Sequence, residues 1–274
     1  MFKKIYENIN KISPLVHCIT NYVTVNDVAN TLLACGASPI MADDEEEVEE
    51  ITSICTALTI NIGTLNERTI KSMLMAGKKA NQISHPIVLD PVGAGASVLR
   101  TKTTFDLLEN VKFTVIRGNI SEIKTVYIGS GTTQGVDADV KDVITDTNLE
   151  EAVSFAKKLS EKTGAVIAIT GAIDIVADSE NAYVIRNGHS MMAKISGTGC
   201  MLSGMIAAFV GANQEQPLLA TAAAVCAMGL AGELAFERIV KENGGSSTLR
   251  SYIIDEISIM NAETLNGGAK VESK

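Results

Sequence analysis

The sequence predicts an α/β protein with a mostly parallel central sheet and helices on both faces, on three observations. Short runs that are apolar at every position, such as residues 86–89 and 165–169, recur through the first two thirds of the chain. A strand apolar on both sides, rather than at alternate positions, belongs in a sheet covered on both faces, which is the habit of parallel sheets. Helix-like stretches alternate with these runs, and Gly, Asp, Asn or Thr follows each run where a strand would leave the sheet. With 274 residues, 46% of them hydrophobic, the chain can bury a sizeable core, and no linker-like stretch divides it, so a single domain over residues 1–274 is expected.

Taken in order, a short charged helix over residues 2–11 leads into an apolar strand within 14–21, polar at its Thr20-Asn21 end. Asn26 or Asp27 opens a helix to Leu33 that stops at Gly36, and 38–42 form a short strand. The acidic run 43–50 suits the first turns of a helix and reads as a solvated face rather than a metal cluster. Residues 57–62 are a strand, Gly63-Thr64 turn the chain, and Asn66 caps a helix to about Asn81. The strand 86–89 runs into Asp90-Pro91-Val92-Gly93-Ala94-Gly95. A helix from Thr103 or Thr104 to Asn110, a strand over 113–116 and a turn at Arg117-Gly118-Asn119 follow.

A later unit repeats the theme with a helix over 149–162, a strand over 165–169 and the turn Thr170-Gly171. Residues 173–177 and 182–185 flank the turn-rich Asp178-Ser179-Glu180-Asn181 and form an antiparallel hairpin at the sheet edge. Then comes Ser196-Gly197-Thr198-Gly199-Cys200, followed by the nearly all-apolar stretch 201–212. Two glycines before a helical run let the backbone turn sharply and leave the first helix amides open to an anion. Beyond it the chain is helical to about Leu265, with a break at Asn243-Gly244-Gly245.

Composition excludes several classes. Acidic residues outnumber basic ones by 32 to 23, the net charge is -9, Trp is absent and aromatic residues are few, so a nucleic-acid partner is not expected. Five cysteines, Cys18, Cys35, Cys55, Cys200 and Cys226, are widely spaced with no Cys-x-x-Cys pair, which argues against a disulfide framework or a zinc site. The charged first residues do not make a signal peptide, and the apolar run 218–232 ends at Glu233, short for a membrane span. A reduced, cytoplasmic protein without membrane attachment is expected. His17, His85 and His189 have no triad-like neighbours and read as structural.

In open α/β sheets ligands bind outside the carboxyl ends of the strands, so the polar residues there are the candidates. They are Asp90, Arg117, Asn119 with Glu122 three residues on, Thr170, and the turn from Gly197 to Cys200. Two carboxylates, a guanidinium, a hydroxyl and an anion-binding turn on one rim suit a polyphosphate with Mg²⁺. Each residue alone also has an ordinary reading as a turn, a cap or a surface pair.

Four segments carry a resemblance: Asp90-Pro91-Val92-Gly93-Ala94-Gly95, Asn119-x-x-Glu122, Ala168-Ile169-Thr170-Gly171 and Ser196-Gly197-Thr198-Gly199-Cys200. Together they resemble the ribokinase-like superfamily, and more narrowly the hydroxyethylthiazole kinase family of thiamine salvage. The stretches 14–21 and 36–42 extend the likeness over nearly the whole chain. The resemblance implies a three-layer α/β/α fold and Mg²⁺-dependent transfer of the γ-phosphoryl group of ATP to the hydroxyl of 4-methyl-5-(2-hydroxyethyl)thiazole. By position it gives Arg117 and Thr170 to the nucleotide, Asp90 and Glu122 to Mg²⁺, and Met41 and Gly197 to the thiazole, with Asn21 nearby. It also implies a homotrimer with active sites between protomers. Many sugar kinases of this fold carry Asp as a base where this chain, like the thiazole-kinase branch, has Cys200. A thiol at a helix N-terminus can be partly ionised and accept the proton, yet phosphoryl transfer leans mainly on positioning, so Cys200 is expected at the base position without being strongly needed for basicity.

Two other enzymes remain open at this stage, a kinase for the hydroxymethylpyrimidine half of thiamine and the ATP-dependent dehydratase of hydrated nicotinamide cofactors, as does a nucleotide-binding protein without catalysis. A dinucleotide oxidoreductase is disfavoured, because no Gly-x-Gly-x-x-Gly follows the first strand.

Overall fold

The computed structural model describes residues 1–129 and 143–274. The first stretch carries α1 (Lys3–Ile12), β1 (Leu15–Ile19), α2 (Val25–Ala34), β2 (Ser38–Ile40), α3 (Val48–Ile54), β3 (Ala57–Asn61), α4 (Glu67–Gln82), β4 (Ile87–Asp90), α5 (Val98–Asn110), β5 (Val115–Gly118) and α6 (Ile120–Gly129). The second carries α7 (Leu149–Thr163), β6 (Val166–Ile169), β7 (Asp174–Ala177), β8 (Ala182–Ile185) and a 3-10 turn at Ser190–Lys194. It ends with α8 (Thr198–Gly211), α9 (Pro217–Glu242), α10 (Ser246–Ile259), α11 (Ala262–Gly268) and β9 (Val271–Ser273).

The strands form one sheet in the order β2-β1-β3-β4-β5-β6-β7-β8-β9. β2 through β6 in that order are mutually parallel, and β7, β8 and β9 add antiparallel pairs. Side chains alternate between two cores because successive Cβ atoms leave a strand on opposite faces. Val88, Val115, Val166 and Ala168 join α1, α2, α8, α9 and α10 on one face. Ile87, Leu89, Ile116, Ile167 and Ile169 join α4, α6 and α7 on the other. Both faces being covered explains why the strands read as continuous apolar runs, each fully buried large aliphatic side chain contributing roughly 1.5–3 kcal/mol.

Four features differ from the sequence expectation. The hairpin of β7 and β8 is not the sheet edge, since β9 pairs outside it. β5 runs through Arg117 to Gly118, so the arginine leaves from the strand itself rather than from a turn. α5 begins at Val98, five residues before Thr103, because the Ser97 side chain accepts the Arg100 N–H and caps it. The last helical stretch is broken between α8 and α9 and between α10 and α11 as well as at Asn243. The acidic run mostly precedes α3, and its Asp43, Asp44 and Glu45 pair with Arg68 and Lys71 on α4, as a solvated face does.

α9 contains the apolar run 218–232 and spans 26 residues, long and apolar enough to cross a membrane by length and composition, unlike the run alone. In this fold 78% of its apolar window is buried. A helix apolar all round belongs inside a protein core, here between the sheet, α8 and α10.

Candidate active site

The six parallel strands end on one rim, and the neighbours of β1 reverse there, with β2 on one side and β3 on the other. Such a reversal opens a crevice at the carboxyl ends of the strands. Asn21 follows β1, Asn61 closes β3, Asp90 closes β4, Arg117 lies one residue from the end of β5 and Thr170 follows β6. α8 packs across β1, β3 and β4 and aims its N-terminus at the same place.

Gly197 caps α8 in the left-handed region, at φ 97°. A Cβ there would lie 2.4 Å from Thr24 Cγ2, so both backbone and space require glycine. No side chain caps this helix end, which leaves its first amides for an anion. The Arg117 guanidinium covers Gly199 so closely that a Cβ on that residue would meet Nη1 at 2.4 Å. Its Nη2 donates to Thr170 Oγ1 at 2.6 Å, and Nη1 lies 3.6 Å from Asp90 Oδ1.

Asp90 is wholly buried. Burial raises its carboxyl above the usual range, the Arg117 charge opposes that, and the charge of Glu122 adds to it. Ser203 Oγ and Asn61 Nδ2 both donate to Asp90 Oδ2, at 2.8 and 2.7 Å. Among the described residues no hydrogen-bond partner meets Asp90 Oδ1 or Arg117 Nε.

Cys200 occupies the first turn of α8 and is the one part-exposed thiol of the five. Its sulfur accepts from Asn21 Nδ2 at 3.2 Å and from Asn61 Nδ2 at 3.3 Å. Burial nonetheless pushes the thiol above its ordinary value and the Asp90 charge adds to this, outweighing hydrogen bonds from Thr24, Asn21 and Asn61. The helix end therefore does not ionise it, contrary to one half of the sequence expectation, and Cys200 is a neutral thiol at neutral pH.

Glu122 closes the rim beside Asp90. Asn119 Oδ1 accepts the Glu122 N–H while Glu122 Oε2 accepts the Asn119 N–H, a reciprocal capping box that starts α6. Glu122 Oε1 accepts the Gly93 N–H at 2.8 Å and ties the loop after Asp90 to the same helix. Each carboxylate oxygen keeps a further lone pair.

These groups fit a small divalent cation. Asp90 presents a buried oxygen with no hydrogen bond among the described residues, near the Arg117 charge, and Glu122 has spare acceptor capacity next to it. No third His, Cys, Asp or Glu completes a cage among the described residues, which suits Mg²⁺, since that ion keeps several waters and takes one or two carboxylates plus phosphate oxygens.

Met41 stands apart from this cluster. It lines a neighbouring cavity of about 220 Å³ with Cys18, Tyr22, Val25 and Thr64, whose wall shares the loop that carries Asn21. A larger hollow of about 560 Å³ lies elsewhere, by Ser160, Tyr183 and Pro217, with none of the rim residues in its wall. His17 is structural: its Nδ1 meets Thr52 Oγ1 and its Nε2 meets the carbonyl of Ala42, the residue after Met41. Burial holds its ring below the ordinary value, so it is neutral. His189 caps the 3-10 turn and stacks on Phe236.

Two site residues escaped the sequence reading. Asn61 had a visible signal, a polar residue at the close of an apolar strand, masked because Ile62 continues the run. Ser203, one turn after Gly199, had only its polarity within an apolar helix.

Comparison with known proteins decides what this rim belongs to. The model of the hydroxyethylthiazole kinase family matches residues 6–263. A hydroxyethylthiazole kinase of Clostridium acetobutylicum is 62% identical over 273 residues, covering 100% of both chains. The chain belongs to the hydroxyethylthiazole kinase family. It is accordingly a kinase, with ATP as the co-substrate that membership implies. The solved structure of a hydroxyethylthiazole kinase protein from Pyrococcus horikoshii superposes with a TM-score of 0.88 at 34% identity, covering 99% of this chain and 98% of that one. A ribokinase-like superfamily protein from Enterococcus faecalis shares the fold, with a TM-score of 0.59 at 14% identity over 92% and 89% of the two chains. The three-layer architecture is thus ribokinase-like.

Proposed function

We propose that this kinase transfers the γ-phosphoryl group of ATP to the hydroxyl of 4-methyl-5-(2-hydroxyethyl)thiazole, the step that recovers the thiazole half of thiamine. The observation that carries the reading is full-length membership of the family together with a rim of paired carboxylates, guanidinium and open helix amides.

In this reading Arg117 and Thr170 hold the nucleotide, and the amides of α8 with Arg117 neutralise the phosphoryl oxygens in flight. Gly197, Asn21 and Met41 line the thiazole side, with the 220 Å³ cavity beside Met41 offering room for part of that ligand. The acceptor oxygen attacks the γ-phosphorus, the bond to the β,γ-bridging oxygen breaks with its electron pair leaving on ADP, and the hydroxyl gives up its proton late to an oxygen of the transferred phosphoryl group, from which it passes to water. Cys200 occupies the position of a base but, as a neutral thiol, orients the hydroxyl rather than deprotonating it. Asp90 and Glu122 would hold Mg²⁺, which supplies charge neutralisation on the phosphate oxygens when bound.

The same reading makes the chain one domain over residues 1–274, cytoplasmic, and a homotrimer with active sites between protomers. Exposed Tyr22, in the wall of the Met41 cavity, and its exposed neighbour Val23 support that assembly, because apolar side chains exposed by a ligand site are the kind a partner subunit covers. The test is a coupled ADP-release assay with ATP and Mg²⁺ against the hydroxyethylthiazole and hydroxymethylpyrimidine alcohols. Turnover on the thiazole alcohol is expected, and turnover on neither overturns the assignment.

A further inference from the structure

Asn61 and Asn21 are the most fully engaged polar side chains on the rim, and of the two only Asn61 touches both Asp90 and Cys200. The Asn61 Nδ2 carries two hydrogens, directed at Asp90 Oδ2 at 2.7 Å and Cys200 Sγ at 3.3 Å. Its Oδ1 has two lone pairs, taken by Asn21 Nδ2 at 3.0 Å and by the Gly63 N–H at 2.9 Å. All four hydrogen-bonding positions of the carboxamide are therefore filled. The Gly63 amide fixes which end is oxygen, because a backbone N–H can only donate.

The placement follows from the sheet. Asn61 and Asp90 are directly paired residues at the end of the β3–β4 ladder. α8 crosses those strands and brings Cys200 over the pair, and the loop after β1 brings Asn21. Four separate pieces of backbone thus meet at one planar group that is 2% exposed. A buried carboxamide with all four hydrogen-bonding positions filled is held in one orientation.

We infer that Asn61 is a positioning residue of the phosphoryl transfer: its carboxamide holds the Asp90 carboxylate and the Cys200 sulfur in one frame, so that the donor side and the acceptor side of the reaction keep their spacing. The inference rests on the kinase reading for its catalytic consequence, while the frame itself stands on geometry. Ser203 donates to the same oxygen of Asp90 without meeting the thiol, so the two residues separate orientation of Asp90 alone from coupling of both sides.

The experiment compares Asn61→Asp and Ser203→Ala with the wild type in steady-state kinetics and in iodoacetamide alkylation of Cys200 at one fixed pH, with no nucleotide or metal added. The other four thiols are buried, so the fast alkylation reads Cys200. Asn61→Asp keeps the oxygen that Gly63 and Asn21 need, replaces the donated hydrogen toward Asp90 by a proton shared between two carboxyls, and removes the hydrogen directed at the sulfur. Its kcat is expected to fall about a hundredfold, with both KM values within about threefold, because spacing matters in the transition state and not in ground-state binding. Its thiol is expected to alkylate roughly tenfold more slowly, the thiolate having lost a donor and gained an acidic oxygen in its place. Ser203→Ala is expected to alkylate within about twofold of the wild type. Should Asn61→Asp not fold, Asn61→Ser removes the amide without adding charge and is expected to lose at least about tenfold in kcat at unchanged KM.

Wild-type kcat in either Asn61 variant, a loss expressed in KM, or wild-type thiol reactivity in Asn61→Asp overturns the proposal. An inactive wild type on the thiazole alcohol would instead overturn the functional reading, and the alkylation comparison would still decide on the frame.

Discussion

Replacing Gly199 by Ala tests the role of Arg117 without touching the arginine. The added methyl carbon would lie 2.4 Å from Nη1, 2.6 Å from Nη2 and 2.9 Å from Cζ of Arg117, so the guanidinium has to move. Gly199 has no positive φ, and alanine in a helical turn gains about 0.5–1 kcal/mol over glycine. Against that gain, Arg117 loses its bond to Thr170 and its approach to Asp90, a charged hydrogen bond being worth about 1.5–3 kcal/mol. The net cost is about 1–2 kcal/mol, and each kcal/mol lowers the melting temperature of a chain this size by roughly 2–4 °C. Kinetically, displacing a preorganised cation from the phosphoryl path is expected to cost about 10²–10³ in kcat/KM for ATP. The assay is ADP release at varied ATP in Gly199→Ala, Arg117→Ala and the double variant. The double variant should match Arg117→Ala within about 0.5 kcal/mol, because the methyl group then meets no guanidinium. A folded Gly199→Ala protein with wild-type kcat/KM, or losses that add in the double variant, would refute the reasoning.

Three further outcomes are expected. Cys200→Asp keeps turnover or raises it at saturating substrate, since a carboxylate oxygen can accept from the same Asn21 and Asn61 amides; a loss beyond about a hundredfold would mean that the thiol itself is required. Glu122→Gln lowers turnover and shifts the Mg²⁺ titration to higher concentration, and an unshifted titration removes Glu122 from the metal role. Burial raises the Asp174 carboxyl to about 7, against the Gly171 N–H and the Arg117 charge. A raised acid pKa means that stability is fully present below the unfolded value near 4 and is lost as the pH climbs through about 7, by at most about 4 kcal/mol. Asp174→Asn should therefore flatten the fall in denaturation midpoint between about pH 4 and about pH 7, and an unchanged slope assigns the dependence to other groups.

Much of the fold was legible because burial on both faces writes itself as unbroken apolar runs, and because Gly36 and Asn66 mark helix ends by their own conformations and bonds. β9 was not legible, since Val271-Glu272-Ser273 has no strand pattern of its own and is extended because β8 offers it a free edge. The start of α5 was hidden by Val98 and Leu99, apolar residues that face outward and break the helical period. Arg117 was displaced into a turn because a charged residue seldom continues a strand; here the guanidinium leaves β5 to reach Thr170 and Asp90. Asp90, Arg117, Thr170 and the glycine turn stood out as polar residues at the ends of apolar runs. Asn61 did not, and the thiol was misjudged in its ionisation, because the helix N-terminus visible in the sequence is weaker than the burial visible only in three dimensions.

The direct pairing of Asn61 with Asp90 also bears on how the sheet finds its alignment. In a sheet with one wet face, a strand that slips by one residue exposes its apolar side chains and is rejected. β3 and β4 are apolar on both faces, so a slipped pairing would still bury Ile60, Leu89 and their neighbours and would go unpunished by hydrophobicity. The polar pair at the end of the ladder breaks that degeneracy. Shifted by one residue, Asp90 would face Ile60 or Ile62, and a carboxylate and an amide would be left buried without each other, at several kcal/mol. The pair proposed to arrange the chemistry thus also serves as the index mark by which β3 and β4 are aligned.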